Sequence, residues 1–146
     1  MKIRPEINKI YSEPEIHVCN NEMTDELTGI IRNLSAIFEQ QLNGTDERGN
    51  HCLLSPSNIV SFYADGQKIM ALDNEQSYVI QKKLYELEEE LTASGFIRIS
   101  KSELINYKKI RKLDMSFTGT IKIIMKSGYE TYASRRNVAK LKKILV

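Results

Sequence analysis

The side chains best suited to grip a charged ligand in this sequence are basic and hydroxylic, and they gather where regular patterns break. Ser100-Lys101 follows the alternating run Phe96-Ile97-Arg98-Ile99, and Ser134-Arg135-Arg136 follows Tyr132-Ala133. At the ends of regular elements such long side chains project freely. An arginine there can bond both O6 and N7 of a guanine, whereas a lysine mostly neutralises a phosphate or makes one contact. Ser100 and Ser134 can donate to phosphate oxygens, and Arg135-Arg136 precedes a helical run whose N-terminus favours an anion. Enzyme chemistry finds no comparable set. There is no nucleophile elbow, no phosphate-binding glycine loop and no convincing pair of catalytic carboxylates, so neither catalysis nor a cofactor is expected. His17, Cys19, His51 and Cys52 could meet at a zinc ion only if the first strand paired beside residue 51. His-x-Cys and an adjacent His-Cys are poor ligand spacings, so no metal is expected, and buried thiols with incidental histidines explain them better.

These turns need a scaffold, and hydrophobic periodicity predicts its elements. Residues 2–19 read as an extended strand, with Ile16 and Val18 alternating against polar neighbours. A helix capped by Thr24 follows, with Leu27, Ile30, Ile31, Leu34, Ile37, Phe38 and Leu42 on one stripe, stopping at Asn43-Gly44. Residues 43–50 are polar and glycine-containing, which predicts a boundary between an N-terminal strand–helix extension, 1–47, and a main domain, 48–146. Beyond it the pattern alternates. Strands are predicted at 53–54, 59–63, 67–72, 77–81, 96–99, 110–115, 120–126 and 129–133, with hairpin signals at Asp65-Gly66 and Ser127-Gly128. Leu84, Leu87 and Leu91 mark a short helix with solvated glutamates, and residues 100–106 read as a turn. A last helix starts near Arg135, with Val138, Leu141, Ile144 and Leu145 on its apolar face. The fold class expected is mainly antiparallel β with peripheral helices, preceded by the strand–helix extension.

The net charge of +2 conceals a strong asymmetry. Residues 1–94 carry 8 Lys/Arg against 16 Asp/Glu, and residues 95–146 carry 13 against 3. That distribution suits a polyanionic partner for the C-terminal third, although acidic and basic parts could also neutralise one another within one fold. No stretch approaches the roughly eighteen uninterrupted apolar residues of a membrane helix, and no apolar segment follows the basic start, so a cytoplasmic protein is expected. Several basic residues have plainer roles. Arg98 reads as a structural ion pair ahead of a base contact, Asn106 as a turn-fixing side chain, and Lys140, Lys142 and Lys143 as a solvated helix face. Lys108, Lys109, Arg111 and Lys112 could supply non-specific attraction.

Three segments taken in order and spacing resemble the LytTR DNA-binding domain. They are Phe96-Ile97-Arg98-Ile99-Ser100-Lys101-Ser102-Glu103-Leu104-Ile105-Asn106, the stretch from Met125-Lys126-Ser127-Gly128 to Ser134-Arg135-Arg136, and Asn58-Ile59-Val60-Ser61-Phe62-Tyr63-Ala64. The resemblance implies an elongated β-structure whose loops enter successive major grooves of double-stranded DNA. Carried over by position, the contacts would fall on Gln67 or Lys68, on Ser100 and Lys101, and on Arg135 and Arg136. Residues 1–47 are too few for the phosphoacceptor receiver domain of response regulators, so the resemblance is to stand-alone members. Such members can act as homodimers on a repeated site and can answer to a membrane protein. The function expected is a sequence-specific, DNA-binding transcription regulator. The rival is a basic interaction module for RNA or an acidic protein, and the two separate on the spread of arginines and serines over three turns.

Overall fold

Thr24 supplies what the first turn of a helix lacks: its Oγ1 accepts from the Leu27 amide at 3.1 Å and its carbonyl from the Thr28 amide at 2.9 Å. Asp25 and Glu26 then lie where the helix dipole favours anions, and helix α1 spans Asp25–Glu39. The structure, a computed structural model, describes residues 1–145 except 13, 40, 117 and 118, and the side chains of 35–39, 138, 144 and 145 lie outside that description. Two compact units make up the chain, Met1–Phe38 and Glu39–Val146.

In the first unit the strand expected over 2–19 is absent among the described residues. Ile3 and Ile7 are more than nine-tenths exposed, and Ile10 and Ile16 are exposed as well. Alternation gives a strand its side-chain pattern but not the partner its amides need, and without one an extended segment stays unpaired. On α1, Leu27, Ile30 and Leu34 are half-buried and Ile31 is exposed. The remainder of the expected stripe, Ile37 and Phe38, falls outside the described side chains.

The second unit contains β1 (Leu42–Thr45), β2 (His51–Leu54), β3 (Ser61–Asp65), β4 (Lys68–Leu72), β5 (Ser77–Ile80), α2 (Leu84–Leu91), β6 (Phe96–Ser100), β7 (Glu103–Asn106), β8 (Ile110–Asp114), β9 (Thr120–Met125), β10 (Glu130–Ser134) and α3 (Arg135–Leu145). Seven strands form one antiparallel sheet in the order β2-β1-β5-β4-β3-β7-β6, and β10-β9-β8 form a second. The mainly antiparallel β class with peripheral helices is thus the observed one.

Two sequence expectations need correction here. The helix does not run to Gly44, and the polar stretch after it is a hairpin. Leu42–Thr45 pairs with His51–Leu54 on one side, and Gly44 and Thr45 pair with Ile80 and Val79 on the other. Asp46 closes the turn, its Oδ1 accepting from the amides of Arg48 at 2.9 Å and Asn50 at 2.8 Å. The polar composition belongs to a tight turn, while Leu42 is buried in the sheet's core rather than on the helix stripe. Gly44 has a packing reason, because a Cβ there would lie 2.6 Å from Leu54 Cδ1 and 3.1 Å from Tyr78 Cβ. Gly44→Ala should therefore lower the unfolding free energy by about 1–2 kcal/mol. Urea denaturation tests this, and an unchanged midpoint would deny β1 its place in the packed sheet.

Residues 103–106, expected within a turn, are strand β7, and the turn shrinks to Lys101-Ser102. All four β7 residues are buried because the strand lies between two cores. Leu104 joins Phe62, Leu87, Leu91 and Phe96 beneath α2, while Ile105 joins Ile97, Ile99, Ile121, Ile123, Met125 and Leu141 against the smaller sheet and α3. A strand buried on both faces loses the apolar–polar alternation by which strands are recognised.

Glu103 on β7 fastens the two sheets together. Its carboxylate accepts from Ser61 Oγ on β3 at 2.6 Å, and from Tyr129 OH at 2.7 Å and Thr131 Oγ1 at 2.5 Å on the smaller-sheet side. Burial, reinforced by that carboxylate, raises the Tyr129 phenol far above its usual range, so it stays a donor.

Candidate nucleic-acid interface

The β3–β4 hairpin turns in two residues, Gly66 and Gln67, because Asp65 pairs with Lys68. Gly66 has φ +61° and Gln67 does not have a positive φ, the pattern of a primed hairpin turn with glycine first. This short turn leaves Gln67 and Lys68 exposed at its tip.

A second tip is built beside it. On β6–β7 the register shifts between Arg98 and Ser100, and Lys101 stands exposed at the turn. Arg98 holds that turn from below. Its Nε donates to the Ser100 carbonyl at 2.7 Å, its Nη2 to the Lys101 carbonyl, and its Nη1 meets Glu88 at 3.3 Å. The expected ion pair is present, and the guanidinium also cradles the carbonyls of the residues it precedes. Ser100 Oγ accepts from the Ser102 amide at 3.2 Å, so this serine shapes the turn as well as lining it. The Ser102 carbonyl accepts from the Ala64 amide at 2.9 Å, which ties the second tip to the end of β3. Gln67, Lys68, Ser100 and Lys101 therefore share one end of the seven-stranded sheet. Asn106, expected to fix a turn, does so: its Oδ1 accepts from the Lys108 amide at 3.2 Å, while its Nδ2 donates to the buried Ile59 carbonyl.

The third segment opens α3. Ser134 ends β10, and its Oγ accepts from Asn137 Nδ2 at 2.8 Å, which steadies the first helical turn. Arg135 and Arg136 are both exposed, and that turn contains no acidic residue. Arg135 lies over Gly119, whose φ is +90°; a Cβ there would stand 3.5 Å from Arg135 Nε. The sequence expectation did not relate Arg135 to the β8–β9 connection, because nothing local signals a contact across sixteen residues. Lys108, Arg111, Lys112, Lys140, Lys142 and Lys143 are exposed, and Lys109 is half-buried. Among the described residues Lys68, Lys101, Arg135 and Arg136 take part in no ion pair, unlike Lys82, Arg98 and Lys122. Cations left without carboxylate partners are free to meet an external anion.

No group of three or more His, Cys, Asp or Glu converges among the described residues. The thiols expected to be buried are not: Cys19 lies in the unpaired N-terminal segment and is exposed, and Cys52 is half-buried near the sheet edge with its Sγ directed to the Asn50 carbonyl at 3.7 Å. No helix among the described residues is long and apolar enough to cross a membrane.

The chain is 31% identical over 146 residues to an uncharacterized HTH-type transcriptional regulator of Staphylococcus aureus strain NCTC 8325, covering 99% of this chain and 98% of that protein. A counterpart in the bovine strain RF122 matches to the same extent. Among the described residues no two helices are joined by a short turn, so the helix-turn-helix of those names has no counterpart here. A solved LytTr DNA-binding domain from Bacillus cereus superposes with a TM-score of 0.66 at 20% identity, over 72% of this chain and 95% of that one, which shows a shared fold. The profile of the LytTr DNA-binding domain matches residues 49–146. With that match over two-thirds of its length, this chain belongs to the LytTR DNA-binding family.

Proposed function

We propose that this chain regulates transcription in the cytoplasm by binding specific duplex DNA. The contacts would be Gln67, Lys68, Ser100 and Lys101 at the sheet end, with Ser134, Arg135 and Arg136 at α3. The observation that carries the reading is the charge at the start of α3. Two exposed arginines occupy a first helical turn without an acid. Cations there oppose the helix dipole by about 0.3–1 kcal/mol each, a cost that an arriving phosphate or guanine edge reverses. RNA binding is the less favoured reading. The exposed large aromatics among the described residues, Tyr85 and Tyr132, sit on α2 and β10 and form no stacking platform on one sheet face. Selection of bound duplexes from a random pool tests the proposal: one recovered motif supports it, and recovery without sequence preference refutes the sequence-specific part.

A homodimer on a repeated site, controlled by a membrane protein, completes the proposal on the family's pattern. Self-association is assigned to the N-terminal extension, whose helix leaves Ile31 exposed and Leu27, Ile30 and Leu34 half-covered. Removing residues 1–47 would delete β1, so point variants make the cleaner test. Ile30→Asp combined with Leu34→Asp should shift the full chain from dimer toward monomer in sedimentation equilibrium. Equal masses for the variant and the unaltered chain would end the assignment.

A further inference from the structure

Resting on the DNA-binding reading above, we infer that the β5–α2 loop, through Gln81 and Lys83, is a phosphate-contacting segment of the same interface. Strand register brings it there. Ile69 pairs with Ile80, so Lys68 at the start of β4 adjoins Gln81, the first residue past the end of β5. Crossing this end of the sheet, the β5–α2 loop comes first, then the Gly66-Gln67 tip, then the Lys101-Ser102 tip. Gln67–Ile69 and residues 79–83 line a shallow recess of about 240 Å³ between the loop and the first tip.

Charge singles out Lys83 within the loop. Lys82 is bonded to Glu90 at 2.6 Å, and Glu88 is taken by Arg98. Lys83 is exposed and forms no ion pair among the described residues. Its Nζ sits 5.9 Å from the Tyr85 ring centroid, a weak contact that holds the ammonium at the surface with its donors open. Lys83 also stands at the N-cap of α2 with no side-chain capping bond, where Ser, Thr, Asp or Asn would serve the helix better. Unlike the first turn of α3, that of α2 contains an acid, Glu86, so Lys83 is marked out by its place at the sheet end and not by the charge of the helix start.

Spacing decides between base and backbone. Adjacent strands lie about 4.8 Å apart, so the two tips are roughly 10 Å apart, within the ~12 Å width of a major groove. The β5–α2 loop lies about 7 Å beyond the first tip, or roughly 17 Å from the second. With both tips in the groove, that loop falls over the sugar–phosphate backbone, where a lysine ammonium and a glutamine amide are suitable donors.

The test uses the full chain, a fluorescein-labelled duplex recovered by selection and a scrambled duplex of equal length, titrated by anisotropy over a range of salt. Lys83→Gln should weaken both duplexes by a similar factor, roughly three- to tenfold, and lower the salt slope by about one. Lys83→Arg should restore both, and Lys9→Gln should change neither. Unchanged affinity and slope for Lys83→Gln while the unaltered chain binds would overturn this inference alone. A loss confined to the selected duplex would also overturn it, by making the contact a base contact. If the unaltered chain binds neither duplex, the DNA-binding reading falls and this inference with it.

Discussion

Arg136→Ala should lower affinity for the selected duplex about ten- to a hundredfold while changing affinity for a scrambled duplex far less. The difference corresponds to one good base contact, about 1–3 kcal/mol. Lys101→Ala should behave similarly, because it stands at a separate tip held by Arg98 from beneath. Neither change should unfold the chain, since both side chains are exposed. Arg136→Ala should even raise the thermal midpoint slightly, as it removes a cation from the positive end of α3. Loss of affinity together with unchanged or higher stability separates a ligand-facing residue from a structural one. Equal losses on both duplexes would demote Arg136 to a phosphate contact, and no loss would remove it from the interface.

Glu103→Ala should produce the largest loss of stability, about 3–4 kcal/mol, because three hydroxyls lose a charged acceptor at once. Two of them, on Ser61 and Thr131, belong to buried residues that water cannot easily repair. Tyr129→Phe removes one donor and should cost about 1–2 kcal/mol. Chemical denaturation of the full chain measures both, and a cost below about 1 kcal/mol for Glu103→Ala would show that the hydroxyl cluster does not fasten the sheets.

Much of this architecture was legible in the sequence because it is written in local patterns. Asp65-Gly66 located a hairpin, Leu84, Leu87 and Leu91 located α2, and Thr24 located the start of α1. The failures were of one physical kind. β7 lies between two cores and so shows no alternation, while residues 2–19 alternate but have no strand partner among the described residues. Residues 43–50 look like a linker because a four-residue strand and a five-residue turn contain little apolar surface, although Leu42 and Gly44 are buried. Pairing is a long-range property, and single-segment periodicity does not record it.

The candidate site was legible to a similar depth. Residue type and position at a turn brought out Lys101, Arg135 and Arg136, and the family resemblance added the Gln67-Lys68 tip. That two of those tips share one end of a sheet depends on the β3–β7 pairing, which joins residues about forty apart. Lys83 escaped because it sits in an acidic stretch, where only the observed pairing of Lys82 with Glu90 and Arg98 with Glu88 leaves it without an ion pair among the described residues. Glu103 escaped because its hydroxyl partners Ser61, Tyr129 and Thr131 come from distant parts of the chain, which no local pattern records.

The central claim, specific recognition of duplex DNA, is tested most directly by competition. The full chain is bound to the labelled selected duplex at fixed salt and challenged with unlabelled selected duplex, scrambled duplex, the same sequence as duplex RNA, and polyglutamate at equal charge. The account predicts that the selected duplex competes at least about a thousandfold better than the scrambled one, with RNA and polyglutamate no better than scrambled. Equal competition by RNA or polyglutamate would contradict it and leave the C-terminal third a general polyanion-binding surface.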